Sequence, residues 1–255
     1  MSVSSFFIKS PNLPESSVTS AAVSGTYSSV CKSLLRQGIQ TILIKPHAGL
    51  AEPVSSHADM VLQHLGGNQV LIAQEAEYLI PQLVALGFTV EVAAQKLSSE
   101  YPHDIPLNAA RIGKRLLAKE DALDARITEY CKQTKIQIIP VRQGYAKCST
   151  VVVDEHSIIT SDPSIAAAAK IQGLDVLQVR PGCVELSPYE YGFIGGTCGK
   201  LAKDVLAFAG DIRTHPDGED MTAFAKSRGV EVLPLFDGPL VDIGGILPLT
   251  EKINA

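Results

Sequence analysis

The sequence predicts an α/β protein: five ββαβ blades forming an α/β-propeller about a pseudo-fivefold axis, one domain over residues 1–255, its ring closed by the C-terminal strand. Three observations lead there. A helix, a glycine and a strand recur five times, with 49, 48, 38 and 56 residues between successive glycine positions. Four units carry an acidic residue between a second strand and the following helix. The first unit lacks an opening strand, while the chain ends on a strand with no partner of its own. Repeats of this length mark architectures in which each unit buries its apolar face against its neighbours.

The unit is clearest from Cys148 to Gly182. A β-branched run (Ser149 to Val153), a polar turn (Asp154 to His156) and a second apolar run (Ile158 to Thr160) predict a hairpin. Pro163 suits the first turn of the Ala-rich helix that follows, and Gly173 stands where a left-handed C-cap is expected. Leu174 to Val179 is the third strand.

The other units follow in order. Ser5 to Lys9 reads as the second hairpin strand of an incomplete first unit, with a loop over 10–20, a helix around Tyr27 to Gln37 and a strand from Thr41 to Ile44. The second unit opens at His57-Ala-Asp-Met-Val-Leu62, turns at Gly66-Gly67-Asn68, and continues through Gln69 to Ala73 and a helix to Gly87. The third starts near Asn108-Ala-Ala-Arg111; its helix ends at Lys135, in the glycine position. The fifth starts at Tyr191-Gly-Phe-Ile-Gly-Gly-Thr-Cys198 and reaches its helix after an insertion around His215 to Gly218. Leu240 to Leu249 is the leftover strand, expected beside Ser5 to Lys9, where closure would leave no blade unfinished. Glu75, Glu120, Asp162 and Asp211, just ahead of their helices, are expected to cap them.

Composition excludes several function classes. The 255 residues carry 22 Lys and Arg against 27 Asp and Glu, a net charge of −5, and 45% are hydrophobic, ample for a core. The basic residues are scattered, so no nucleic-acid partner is expected. The five cysteines are an odd number without C-x-x-C spacing, which argues against a disulfide framework or a structural zinc site and for a reducing cytoplasm. No signal segment and no apolar run of membrane-spanning length is evident, so no membrane partner is expected. Oligomeric state is not legible. Gly195-Gly196 and Gly244-Gly245 lack the G-x-G-x-x-G pattern, so no cofactor is implied; close backbone packing near the axis accounts for them. His57 and Asp59 would face one way on a strand and could ligate a metal, yet no second His/Asp cluster accompanies them, so no metal is expected.

Five ββαβ units about one axis resemble the pentein fold of the guanidine-modifying enzymes: dimethylarginine hydrolases, arginine and agmatine deiminases, and amidinotransferases. Gln143-Gly-Tyr-Ala-Lys-Cys-Ser149, Ile158-Ile-Thr-Ser-Asp162, Tyr191-Gly-Phe-Ile-Gly-Gly196 and Leu240-Val-Asp-Ile-Gly244 are similar to an uncharacterised bacterial family assigned to that fold. The resemblance implies a central channel at the starts of the first strands, where the enzymes place a nucleophilic Cys, a His and carboxylates. The thiolate attacks the guanidinium carbon, the His moves protons, and the carboxylates hold the guanidinium. Repeat alignment puts His57, Asp59, Asn108, Arg111, Lys147, Cys148, Cys198, Lys200 and Asp242 at channel positions. Those enzymes carry their nucleophile on the closing strand after a glycine pair, where this chain has Gly244-Gly245-Ile246 and no cysteine. Their His-x-Asp motif also lies late in the chain, whereas His57-Ala58-Asp59 lies early.

If the chain has a nucleophile, the expected choice is Cys198, in an exposed Gly-Gly-Thr-Cys-Gly turn, with His57 and Asp59 as catalytic partners. Asn108, Arg111, Lys147, Cys148, Lys200 and Asp242 form the expected ligand-binding set, Lys147 and Lys200 being able to lower a nearby thiol pKa. The competing expectation is that Cys198 and Cys148 are small buried apolar residues, as Cys31 and Cys131 should be on their helices; Cys183 is in a loop. The leading function is a small-molecule site in the channel without ordinary guanidine turnover. Arg111, Lys147 and Lys200 hint at an anionic or zwitterionic ligand. The alternatives are a hydrolase or amidinotransferase-like enzyme using Cys198 with His57, and a non-catalytic interaction protein resembling the pentein that binds the large ribosomal subunit.

Overall fold

The computed structural model describes residues 5–253. In chain order the elements are β1 (Ser5–Phe7), β2 (Val18–Ser24), α1 (Ser28–Arg36) and β3 (Gln40–Ile44), then α2 (Ala58–Val61), β4 (Leu62–Gly66), β5 (Gln69–Ile72), α3 (Ile80–Ala85) and β6 (Thr89–Val92). There follow β7 (Ala110–Ile112), β8 (Arg115–Ala118), α4 (Ala125–Thr134), β9 (Gln137–Pro140), β10 (Thr150–Asp154), β11 (Ser157–Thr160), α5 (Pro163–Ile171) and β12 (Asp175–Gln178). The last are β13 (Val184–Glu185), β14 (Cys198–Ala202), β15 (Val205–Phe208), α6 (Gly218–Ser227), β16 (Glu231–Pro234), β17 (Leu240–Val241) and β18 (Leu247–Lys252).

Five sheets share one local pattern: an antiparallel pair, then a helix, then a third strand parallel to the second. Four have three strands, and the first has four, in the order β1-β18-β2-β3. β13 and β17 add a short parallel pair. Among the described residues the sheets do not hydrogen-bond into one barrel.

Local chemistry explains the junctions. α5 starts where Asp162 Oδ1 accepts from the backbone N–H groups of Ser164 (2.8 Å) and Ile165 (2.9 Å), and it buries Ile165, Ala166 and Ala169 on one face. It ends before Gly173, whose φ of +75° lets Leu174 N–H reach the carbonyl of Ala169. Lys135 does the same work at φ +56°, against a steric cost of about 1–2 kcal/mol for a residue with a Cβ. Of the four expected caps, Asp162 caps its helix, whereas Asp211 caps a short 3-10 turn (Ile212–Thr214) ahead of α6 rather than α6 itself. Glu75 instead pairs with Lys96 at 2.5 Å, and Glu120 opens a short 3-10 turn. α4 is capped by Asp124, whose shorter side chain reaches Arg126 N–H at 2.9 Å.

The first sheet departs from the expected assignment. Its second hairpin strand is β2, not Ser5 to Lys9, and β2 runs through the end of the expected loop. β2 is buried along almost its whole length by Ser and Ala, so it lacks the polar/apolar alternation that marks a half-exposed strand. β1 is an added edge strand. The closing strand is also shorter than the expected 240–249: Leu240–Val241 pairs with β13, and only β18 enters the first sheet, between β1 and β2. His57 and Asp59 lie at a helical turn, α2, rather than on a strand, and the third unit's first strand opens at Ala110 rather than near Asn108. Side chains of α1 (Val30, Leu34), α3 (Leu83), α4 (Ile127) and α6 (Met221) are buried against the sheets. Each such side chain contributes about 1.5–3 kcal/mol.

Candidate functional site

The turns ahead of β4, β10 and β14 and the segment between β17 and β18 come together, and the turn ahead of β7 joins them through the Asn108 side chain. Backbone bonds tie them together: Asp59 N–H to Gly244 O (3.2 Å), Gly196 N–H to Cys148 O (2.8 Å), Ile243 and Gly245 N–H to Gly196 O (3.0 and 2.8 Å), and Ile246 N–H to Cys198 O (3.0 Å). A Cβ on Gly196 would overlap the Asp242 carboxylate, and one on Gly244 would overlap His57, so both positions require glycine for close approach.

The side chains enclosed there are polar. Cys148 Sγ donates to Asp59 Oδ2 at 3.0 Å and lies 3.1 Å from Asn108 Nδ2, which donates to it. Asn108 Oδ1 accepts from the backbone N–H groups of Lys147 (2.8 Å) and Cys148 (3.3 Å), which fixes the amide's orientation. Asp242 accepts from Phe193 N–H (2.8 Å) and Gly244 N–H (3.0 Å), and its Oδ1 lies 3.7 Å from His57 Nδ1. That last separation is electrostatic contact rather than a hydrogen bond. Lys147 Nζ donates to Gly195 O at 3.3 Å. His57, Asp59, Asn108 and Asp242 are each 1% exposed, and Cys148 is 2%. Both ring nitrogens of His57 and Oδ1 of Asp59 have no hydrogen-bond partner among the described residues. One ligand-type atom from each of His57, Asp59 and Cys148 lies within 4.8 Å of the others.

Burial governs the charges. It pushes the Asp59 carboxyl up to about 6, with Asp242 adding to the rise and Lys147 and His57 opposing it. Burial, then the Asp59 and Asp242 carboxylates and the bond to Asp59, raise the Cys148 thiol well above its ordinary range. Burial pushes the Cys198 thiol up to about 12, although Lys147 pulls it down. Both cysteines are therefore held as thiols, because an anion there would be desolvated and face carboxylates.

Seven of the nine sequence-selected residues belong to this neighbourhood: His57, Asp59, Asn108, Lys147, Cys148, Cys198 and Asp242. Two do not. Arg111 donates to the carbonyls of Leu65 (3.2 Å) and Gly113, and Lys200 to those of Val153 (2.8 Å) and Lys203. Both stand further along their strands and reach the hairpin-turn carbonyls of Gly113 and Lys203, away from the turns that build the cluster. Among the three basic residues of the expected set, Lys147 is the one that acts on the Asp59 carboxyl. The thiol beside Asp59 is Cys148, not Cys198: Cys198 Sγ points at Gly195 O, 3.7 Å away, and is 2% exposed rather than on an open turn. Sequence reading missed Met60, whose sulfur accepts from Asn108 at 3.2 Å, and Tyr27, whose hydroxyl donates to Asp242 O at 3.3 Å. Neither stands in a motif.

Comparison with solved structures defines the class. An amidinotransferase of the saxitoxin biosynthetic pathway from Microseira wollei matches at 10% identity and a TM-score of 0.55, covering 92% of this chain and 97% of that one. Dimethylarginine dimethylaminohydrolase from Pseudomonas aeruginosa, complexed with citrulline, matches at 9% and 0.56, covering 93% and 100%. Inosamine-phosphate amidinotransferase from Streptomyces griseus matches at 12% and 0.55, covering 98% of both chains. The chain has the mixed α/β pentein fold of these enzymes. No curated protein matches its sequence significantly. A family model described as a family of unknown function, DUF6873, matches residues 22–247, and the chain belongs to that family.

Proposed function

We propose that the five sheets form a pentein propeller in a single domain, with the cluster on its pseudo-fivefold axis and the ring closed by β18. We propose further that the cluster is a binding site for a small molecule or ion, without the covalent guanidine turnover of the fold's enzymes. One observation carries this reading: the Cys148 thiol donates its proton to Asp59 while a second carboxylate, Asp242, raises its pKa further. A covalent mechanism needs a thiolate, and an anionic setting opposes one.

The hydrolase or amidinotransferase reading through Cys198 has one supporting observation, the pull of Lys147 on that thiol. The purified protein is incubated with arginine, agmatine and methylated arginines while ammonia, urea and amine release are assayed, with Cys148→Ala and Cys198→Ala in parallel. No release above the mutants is expected. Turnover that disappears in either mutant would overturn the proposal and identify the nucleophile.

A further inference from the structure

We propose that His57, Asp59 and Cys148 bind a divalent transition-metal ion, zinc by preference. The inference rests on the cluster being a binding site and names what it binds. The donor set fits the ion: an imidazole nitrogen, a carboxylate oxygen and a sulfur are borderline to soft ligands that suit zinc better than magnesium or calcium. The three donor atoms lie within 4.8 Å of one another. Zinc bond lengths put neighbouring tetrahedral donors roughly 3.5 Å apart, so the widest pair has about an ångström to close. The second observation is the set of unpartnered atoms. His57 is 1% exposed and neither ring nitrogen has a partner among the described residues; the same holds for Asp59 Oδ1. Leaving a buried polar atom unsatisfied costs about 1–3 kcal/mol, and an ion would engage two of these groups at once.

The surroundings complete the argument. Asp242 Oδ1 stands 3.7 Å from His57 Nδ1, and the carboxylate is held by two backbone N–H groups, Gly244 on Oδ1 and Phe193 on Oδ2, so a small closing motion gives the carboxylate–histidine arrangement that orients a metal-bound imidazole. Asn108 Nδ2 already donates to the sulfur. Binding is balanced by proton release: the ion forms a bond to Cys148 Sγ, the S–H bond breaks, and one proton leaves to solvent. The ion's two positive charges then meet one thiolate and one carboxylate, with a fourth position for water or a small molecule. Because the ligands are buried, the ion is loaded during folding or by opening of the cluster.

The test uses the full chain with the exposed Cys183 changed (Cys183→Ala), treated with a chelator, and then given Co2+ both natively and during refolding. One Co2+ per chain with a thiolate-to-cobalt charge-transfer band and one proton released per ion is expected. The band should vanish in Cys183→Ala/Cys148→Ser and persist in Cys183→Ala/Cys198→Ala. If the Cys148→Ser chain does not fold, Asp242→Asn serves instead: the band should persist while affinity falls about 10- to 100-fold. No Co2+ uptake by either route, a band that survives Cys148→Ser, or unchanged affinity in Asp242→Asn would overturn the metal assignment. Guanidine turnover, measured separately, overturns the binding-site reading instead, so the two failures are distinguishable.

Discussion

Removal of residues 247–255 deletes β18 from between β1 and β2, and the structure indicates how much stability goes with it. The strand pairs antiparallel on both sides, Phe7 opposite Thr250 on one and Leu247 opposite Ala22 on the other. It buries Leu247 (6% exposed) and Leu249 (0%), together worth about 3–6 kcal/mol. The Thr250 hydroxyl bonds to those of Ser20 (2.6 Å) and Thr19 (2.7 Å), and losing it strands the buried Ser20 at a further cost of about 1–3 kcal/mol. The sum, about 4–9 kcal/mol, is comparable with the whole stability of a typical domain, about 5–15 kcal/mol. The truncated chain should therefore lose its cooperative transition in calorimetry. Leu249→Ala is the graded version, expected to cost about 2–5 kcal/mol in denaturant unfolding. Phe6→Ala, on the exposed edge strand β1, serves as control and should stay within about 0.5 kcal/mol. A truncated protein with unchanged Tm, or a Leu249→Ala loss no larger than that of Phe6→Ala, would refute the closure.

Two further predictions concern other groups. His64 is buried, its pKa pushed down to about 4 by burial and by Arg111, although its ring nitrogens face Gly67 O (3.0 Å) and Pro248 O (3.3 Å). Its contribution is complete above the usual histidine value near 6.5 and is lost as pH falls toward about 4, because the unfolded chain binds the proton first; about 3 kcal/mol is at stake. His64→Gln should flatten that part of the stability profile, and a gap between the proteins that does not change with pH in denaturant titrations would contradict it. A thiol reagent should modify exposed Cys183 quickly and Cys148 only at the rate of opening, whereas Asn108→Ala, which frees the 147–148 turn, should speed Cys148; equal labelling of Cys148 in both proteins by mass spectrometry would count against the role given to Asn108.

The sequence made the helix-to-strand junctions legible because they depend on local chemistry: positive φ at Gly38, Gly87, Gly173 and Gly229, and the capping carboxylate of Asp162. It was weaker where long-range packing decides. β2 reads as loop because its burial by small residues produces no alternation. The candidate site was legible as a set of positions at the starts of first strands, and seven of those residues lie near one another, His57, Asp59 and Asn108 standing in the turns just ahead of the strands. Their pairing was not legible. Asp59 and Cys148 are 89 residues apart and meet through an Asn108 bridge that no spacing encodes. Cys198 looked exposed because its setting is rich in glycine, yet those glycines exist to let Asp242 and the neighbouring backbone approach closely.

The closing segment is where this chain parts from the resemblance that first identified its fold. The guanidine-modifying enzymes place a thiol just after the glycine pair of that segment; here Ile246 is fully buried in apolar packing, and the segment instead contributes Asp242 from before the glycines. The segment thus supplies a carboxylate to the cluster and no thiol. A thiolate nucleophile needs nearby positive charge, whereas Asp242 and Asp59 together oppose every additional anion and favour a cation. Cys148 fits the second arrangement, since its proton can be exchanged for a metal ion without adding net negative charge. In the proposed reading, the geometry that opposes a thiolate at Cys148 suits its sulfur as a metal ligand, and Asp242 connects both consequences to one position.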